Sequence, residues 1–174
     1  ETYISSEVEL STGLKPEYVR IEKMLNTALP RELEWLKKKE MVVRDFYGRF
    51  LPKEKMTEYK LVYSYKMKDH KNNHRVILHQ AIPLSTTENG TFKHVLSIHT
   101  DISHLTSKST HNVSFMDLEG RMSYYNIPAE EKRFDPKLAK AEPNTLFNVR
   151  DFKLKGNTSS WLMNNSLEAM ANTL

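Results

Sequence analysis

Cysteine is absent from the 174-residue sequence. That excludes a disulfide framework, thiolate zinc sites, cysteine nucleophiles and cysteinyl-flavin photochemistry. Long apolar runs are missing too: none approaches the ~20 residues of a membrane-spanning helix, and no signal-peptide pattern is visible. A cytoplasmic location without membrane contact is therefore expected. Glycine is scarce, and its five scattered copies form no phosphate-cradling or dinucleotide-binding pattern. Serine, histidine and aspartate occur without a nucleophile-elbow context. Charge of one sign is nearly balanced by the other, with 26 Lys and Arg against 22 Asp and Glu, a net of +4. A dedicated nucleic-acid binder concentrates its basic residues on one element. Here the only basic run is Lys37-Lys38-Lys39, which reads as the solvated face of a helix. No enzyme class leaves a signature, so neither a catalysed reaction nor a cofactor is expected.

What is present is enough apolar residue, 39% against 28% charged, for one domain-sized core. A brief extended signal surrounds Tyr3-Ile4, and Pro16 opens a short helix through Tyr18, Ile21, Met24 and Leu25. Pro30 opens a longer helix whose apolar stripe runs from Leu33 through Leu36, Val42, Val43, Phe46 and Phe50, and Leu51-Pro52 ends it. The period then changes to two. Tyr59, Leu61, Tyr63, Tyr65 and Met67 alternate with polar neighbours, and two more strands follow over 75–84 and 92–102 with Asn89-Gly90 as the turn between them. A second hairpin is expected over 113–125, turning at Glu119-Gly120. Pro128, Pro136 and Pro143 punctuate a linker or irregular wrap, and 146–174 is weakly helical. The fold class is α+β, an antiparallel sheet with short helices on one face and a partly helical C-terminal appendage.

The strand wording resembles a known family. Tyr59 to Lys68, His74 to Gln80, the Asn89-Gly90 turn and Thr100-Asp101-Ile102-Ser103 resemble the later strands and the ending of a PAS domain. Val113 to Tyr125 is similar to the hairpin that follows PAS in bacterial LuxR-type regulators, which pair an N-terminal PAS domain with a C-terminal helix-turn-helix. The resemblance implies a PAS-like sensory domain over 1–105, a hairpin extension over 106–127, a linker over 128–145 and a helix-turn-helix-like segment over 146–174. That last segment is degenerate or incomplete, short by roughly eight residues for full helices. It also has no Arg or Lys after Lys155, so DNA contact is implied by the resemblance but expected to be weak here. The implied function is a sensory and dimerisation module, a homodimer that receives a small molecule or a protein partner.

His79 and His99 lie 10 and 9 residues from the two turn residues Asn89 and Gly90, which sets them nearly opposite on one face of an antiparallel pair. Ile77, Ala81, Val95 and Ser97 share their parity. By resemblance this face lines the PAS interior, with Tyr65 and Met67 at neighbouring inward positions. The histidines read as a polar handle for a ligand, as half of a metal site, or as hydrogen-bonded core residues. No Asp, Glu or His spacing completes a ligand set, so no metal is assigned. The ligand-binding candidates are Tyr65, Met67, Ile77, His79, Ser97 and His99. The opposite face is apolar as well, through Val76, Leu78, Ile82, Leu84, Leu96, Ile98 and Ile102. A sheet apolar on both faces needs two covers. The helices supply one, and the second is a partner subunit, the 113–125 hairpin or a segment upstream of Glu1; Leu78 and Ile98 are the interface candidates. Other readings are an interaction scaffold with a filled core, or a small enzyme or metal-binding domain using His79, His99 and Asp101.

Overall fold

The computed structural model describes residues 3–20, 23, 27–143 and 163–164. Tyr3-Ile4 forms no strand; a five-residue helix, α1 (Val8–Thr12), follows it and stops at Gly13, whose φ of 70° suits a left-handed cap. Pro16 opens only a 3-10 turn, Pro16–Tyr18, and most of the helix expected after it lies outside the described residues. The long helix α2 (Pro30–Asp45) begins on proline, as expected, and passes into a π turn over Phe46–Phe50. Leu51 N–H closes that turn on the Phe46 carbonyl at 2.8 Å, and the chain turns extended before Pro52. The buried side of α2 runs through residues 32, 36, 39, 43 and 46, the spacing of one helical stripe. Lys39 therefore belongs to the inner stripe, fully buried, and not to the solvated face with Lys37.

Among the described residues six longer antiparallel strands build the sheet: β1 (Tyr59–Lys68), β2 (His74–Thr86), β3 (Phe92–Asp101), β4 (Asn112–Asp117), β5 (Met122–Pro128) and β6 (Lys140–Pro143). A two-residue strand, β7 (Met163–Asn164), pairs with Leu96 and Ser97. The order β6-β5-β4-β1-β2-β3-β7 puts the fourth strand beside the first, a Greek-key return. The returning loop is pinned along the way. Ile102 N–H donates to Val76 O, Ser103 Oγ accepts from Val76 N–H, and Thr110 N–H donates to Ser64 Oγ. The 113–125 hairpin thus lengthens the sheet and covers neither face.

Helix α2 packs over β1 and β4. The core centres on Phe46, whose ring lies flat on Phe115 at 3.7 Å and edge-on to Tyr59 and Phe134. Phe134 is buried, and its N–H donates to Asp45. Residues 128–143, expected as linker or wrap, therefore close one end of the core and add β6 to the sheet. The helix-turn-helix-like segment lies outside the described residues except for Met163 and Asn164, which are strand.

The three hairpins of β1–β2, β2–β3 and β4–β5 turn by one device. Asp69, Thr87 and Asp117 each accept, through the side chain, the N–H four residues on: Asn73, Thr91 and Arg121. Each turn places a positive φ three residues on, at Asn72, Gly90 and Gly120. Asp117 is fully buried and also accepts from Glu119 N–H and the Arg121 guanidinium. Asp117→Ala is expected to cost about 1–3 kcal/mol, because it leaves those donors without their acceptor. Urea denaturation checks this, and Asp117→Asn should lose less because it keeps a side-chain oxygen.

Candidate functional site

The site is built on the inner face of β1, β2 and β3. Tyr63 stands opposite His79, His79 opposite His99, and Tyr65 opposite Ile77. Period-two alternation then puts Met67, Ala81 and Ser97 on the same face. All six predicted ligand-binding residues are together there. Tyr65, Met67, Ile77, His79 and Ser97 are buried, and His99 is half-buried.

The two imidazoles stack, with ring centres 4.5 Å apart and planes 17° from parallel. Tyr63 meets His79 edge-on at 4.8 Å. Tyr65 Oη and His99 Nδ1 share a hydrogen bond of 3.1 Å. His79 Nδ1 is buried without a hydrogen-bond partner among the described residues. Burial pushes His99 down to about 4 and His79 well below the usual imidazole range, with His99 a second, smaller cause for His79. Both rings are therefore neutral at pH 7, each with one N–H and one bare nitrogen. Ring lone pairs lie in the ring plane, so a nearly parallel stack aims them side by side and does not converge them on one ion.

Helix α2 brings three ionisable groups that the alternation of the strands did not reveal. Lys39 Nζ donates to Ser64 O at 2.7 Å and lies 5.3 Å from the Tyr63 ring centre. Burial lowers it to about 8 against the pull of Glu32. Glu32 accepts from Lys66 N–H at 3.1 Å and Ser109 Oγ at 2.8 Å, which ties the returning loop to the helix. Glu40 accepts from Tyr63 Oη at 3.1 Å, and burial raises it to about 7. The 3.6-residue period places Lys39 beside Leu36 and Val43, which is the signal that the basic run concealed.

Asp101 stands apart from this cluster. It is exposed, pairs with Arg75 at 3.6 Å and accepts from Ser103 N–H at 2.8 Å, so it shapes the strand end. Leu78 and Ile98 occupy the outer face, half-buried with Ile82 and Leu96, while Leu84 is 53% exposed. Taken chemically, the inner face offers neutral imidazoles and hydroxyls inside an apolar wall, with Lys39 and Glu40 of α2 held beside Tyr63. In comparison with known proteins, no family model, no curated protein and no solved structure matches this chain.

Proposed function

We propose that the chain is the sensory and dimerisation module of a LuxR-type transcriptional regulator, PAS-like in fold, whose inner sheet face receives a small molecule around His79 and His99. It binds and does not catalyse. The observation that carries this reading is His79 Nδ1, a buried polar atom left unpaired among the described residues next to a histidine that has its partner. Buried polar groups are nearly always satisfied, so an unpaired one calls for a partner from outside the chain, an ordered water or a bound molecule. Any DNA contact rests on residues 144–174, outside the described residues apart from Met163 and Asn164.

The same strands that carry the histidines inward carry Leu78 and Ile98 outward. Occupancy of the inner face then biases the packing of the outer one, which is the differential interaction a two-state sensor requires. Leu78→Asp and Ile98→Asp are each expected to convert a dimer to a folded monomer, read by sedimentation with circular dichroism as the folding control. A wild-type monomer at high concentration removes the dimerisation half of the reading. Native mass spectrometry tests the other half: a stoichiometric small molecule is expected on the gently purified chain. A second reading, a filled interaction scaffold, is favoured by the burial of Met67, Ile77 and Ser97 within the chain itself. It predicts no bound mass.

A further inference from the structure

We propose that the outer sheet face is covered by the N-terminal segment of a second copy of the chain. Helix α1 of each subunit, with Glu7, Glu9 and Leu10, docks on the outer face of the other beside Lys60 and Lys66. This rests on the reading of Leu78 and Ile98 as the dimer interface and names what they meet.

The outer face carries charge of one sign. Strand alternation turns Lys60, Lys66 and Lys68 of β1 to this side, with Met116 opposite Lys60 and Val76 opposite Lys66. No aspartate or glutamate stands at an outward position of β1, β2, β3 or β4. Lys60 Nζ donates to Gln80 Oε1 at 3.0 Å, and burial pushes Lys60 down from the usual lysine range. Neither Lys60 nor Lys66 has a carboxylate partner among the described residues, whereas Arg49, Arg75 and Arg121 each have one. A half-buried ammonium that meets only an amide oxygen gains from a carboxylate, and more so where water is excluded around the pair.

The N-terminal segment is the complement of that face. Residues 3–14 contain Glu7 and Glu9 and no lysine or arginine. Val8 is buried within its own subunit, while Leu10 is 75% exposed and Tyr3 62%. Two residues along a helix turn by about 200°, so Leu10 points away from the side that Val8 anchors. His70 N–H donates to Ser11 O at 3.2 Å, which fixes α1 at the β1–β2 turn, the end of the strands nearest Lys66. Two bare outer faces laid together would set lysines around an apolar centre with no acid on either side. Mutual docking of α1 about a two-fold axis supplies the missing carboxylates and places Leu10 on the apolar centre.

Charge reversal in the full chain tests the contact by sedimentation at low salt, with circular dichroism as the folding control. One variant is Lys60→Glu/Lys66→Glu and the other Glu7→Lys/Glu9→Lys. Alone, each is expected to dimerise at least about tenfold more weakly than the wild type, because like charges then meet in both contacts. Mixed in equal amounts, they are expected to form a one-to-one heterodimer, because both contacts again pair glutamate with lysine. Leu10→Ser, at an exposed position that leaves the fold alone, is expected to weaken the wild-type dimer as well. Undiminished dimerisation of the reversed variants or of Leu10→Ser, or a mixture that does not associate, overturns the docking of α1. If Leu78→Asp then still gives a folded monomer, the outer face remains the interface under another cover. A wild-type monomer at high concentration overturns both the docking and the reading beneath it.

Discussion

Phe115→Ala is expected to destabilise the protein by about 3–5 kcal/mol, the range for removing a large aromatic side chain from a closed core. Phe115 is fully buried on β4, and its ring lies within 11° of parallel to Phe46. It also meets Tyr47 and Phe134 edge-on. These contacts join three parts of the chain: the π turn after α2, the returned strand and the wrap over 128–143. A cavity at Phe115 removes support from all three, and because they converge from distant sequence positions, local relaxation cannot refill it. Equilibrium urea denaturation measures the loss. Phe115→Leu, which keeps most of the volume, should cost less than half as much. A loss under about 1 kcal/mol for alanine would show that the stacked pair is not the centre of the core.

Acidification from pH 6 to 5 is expected to lower stability by about 1.4 kcal/mol per pH unit, the slope of one net proton. Unfolded histidine titrates near 6.5, while folded His99 titrates near 4 and folded His79 lies well below 6.5. In that window the unfolded chain binds two protons that the folded chain refuses. Glu40 works in the opposite sense. Its folded value near 7 exceeds the unfolded 4.5, so the folded chain holds one proton that the unfolded chain has released. Two protons against one leaves one taken up on unfolding, and stability falls as pH falls. Asp69 contributes only at lower pH. Burial works to raise it, but bonds from Asn73, Arg75 and Lys71 N–H outweigh that and hold it below its ordinary 3.8. The double variant His79→Phe/His99→Phe leaves Glu40 alone, so its stability should rise from pH 7 to 5. Denaturation midpoints at pH 7, 6 and 5 give both slopes, and parallel profiles for the two proteins would contradict neutral burial of the pair.

Much of the inner face was legible in the sequence because strand alternation is strict and the Asn89-Gly90 turn fixes the register. Counting outward from that turn places His79 within one residue of facing His99, and in the fold the two are direct partners across β2 and β3. The long helix was legible from Pro30 to Leu51 for similar reasons, since proline marks both ends. Lys39 and Glu40 were not found, because their roles depend on which side of α2 meets the sheet, and three consecutive lysines suggest solvent. The place of the second hairpin was also hidden. Nothing local to residues 112–117 says whether that strand joins β1 or lies across a face; the Phe46–Phe115 stack and the Ser64 and Val76 anchors decide it. The irregular wrap showed its prolines but not the anchoring role of Phe134.

The Greek-key return has a consequence for the order of folding. The β1–β2 and β2–β3 hairpins close over short turns and can form on the microsecond timescale of isolated hairpins. Strand β4 pairs with β1 across the whole meander, Tyr59 facing Asp117 and Val62 facing Ser114. Closing that longer loop loses more chain entropy before any contact repays it, so the pairing is the slow step. Helix α2 touches both β1 and β4, and once docked on the meander it offers β4 a ready surface. The rate-limiting nucleus is then α2 with β1 and β4, while the histidine-bearing strands β2 and β3 are already paired when it assembles.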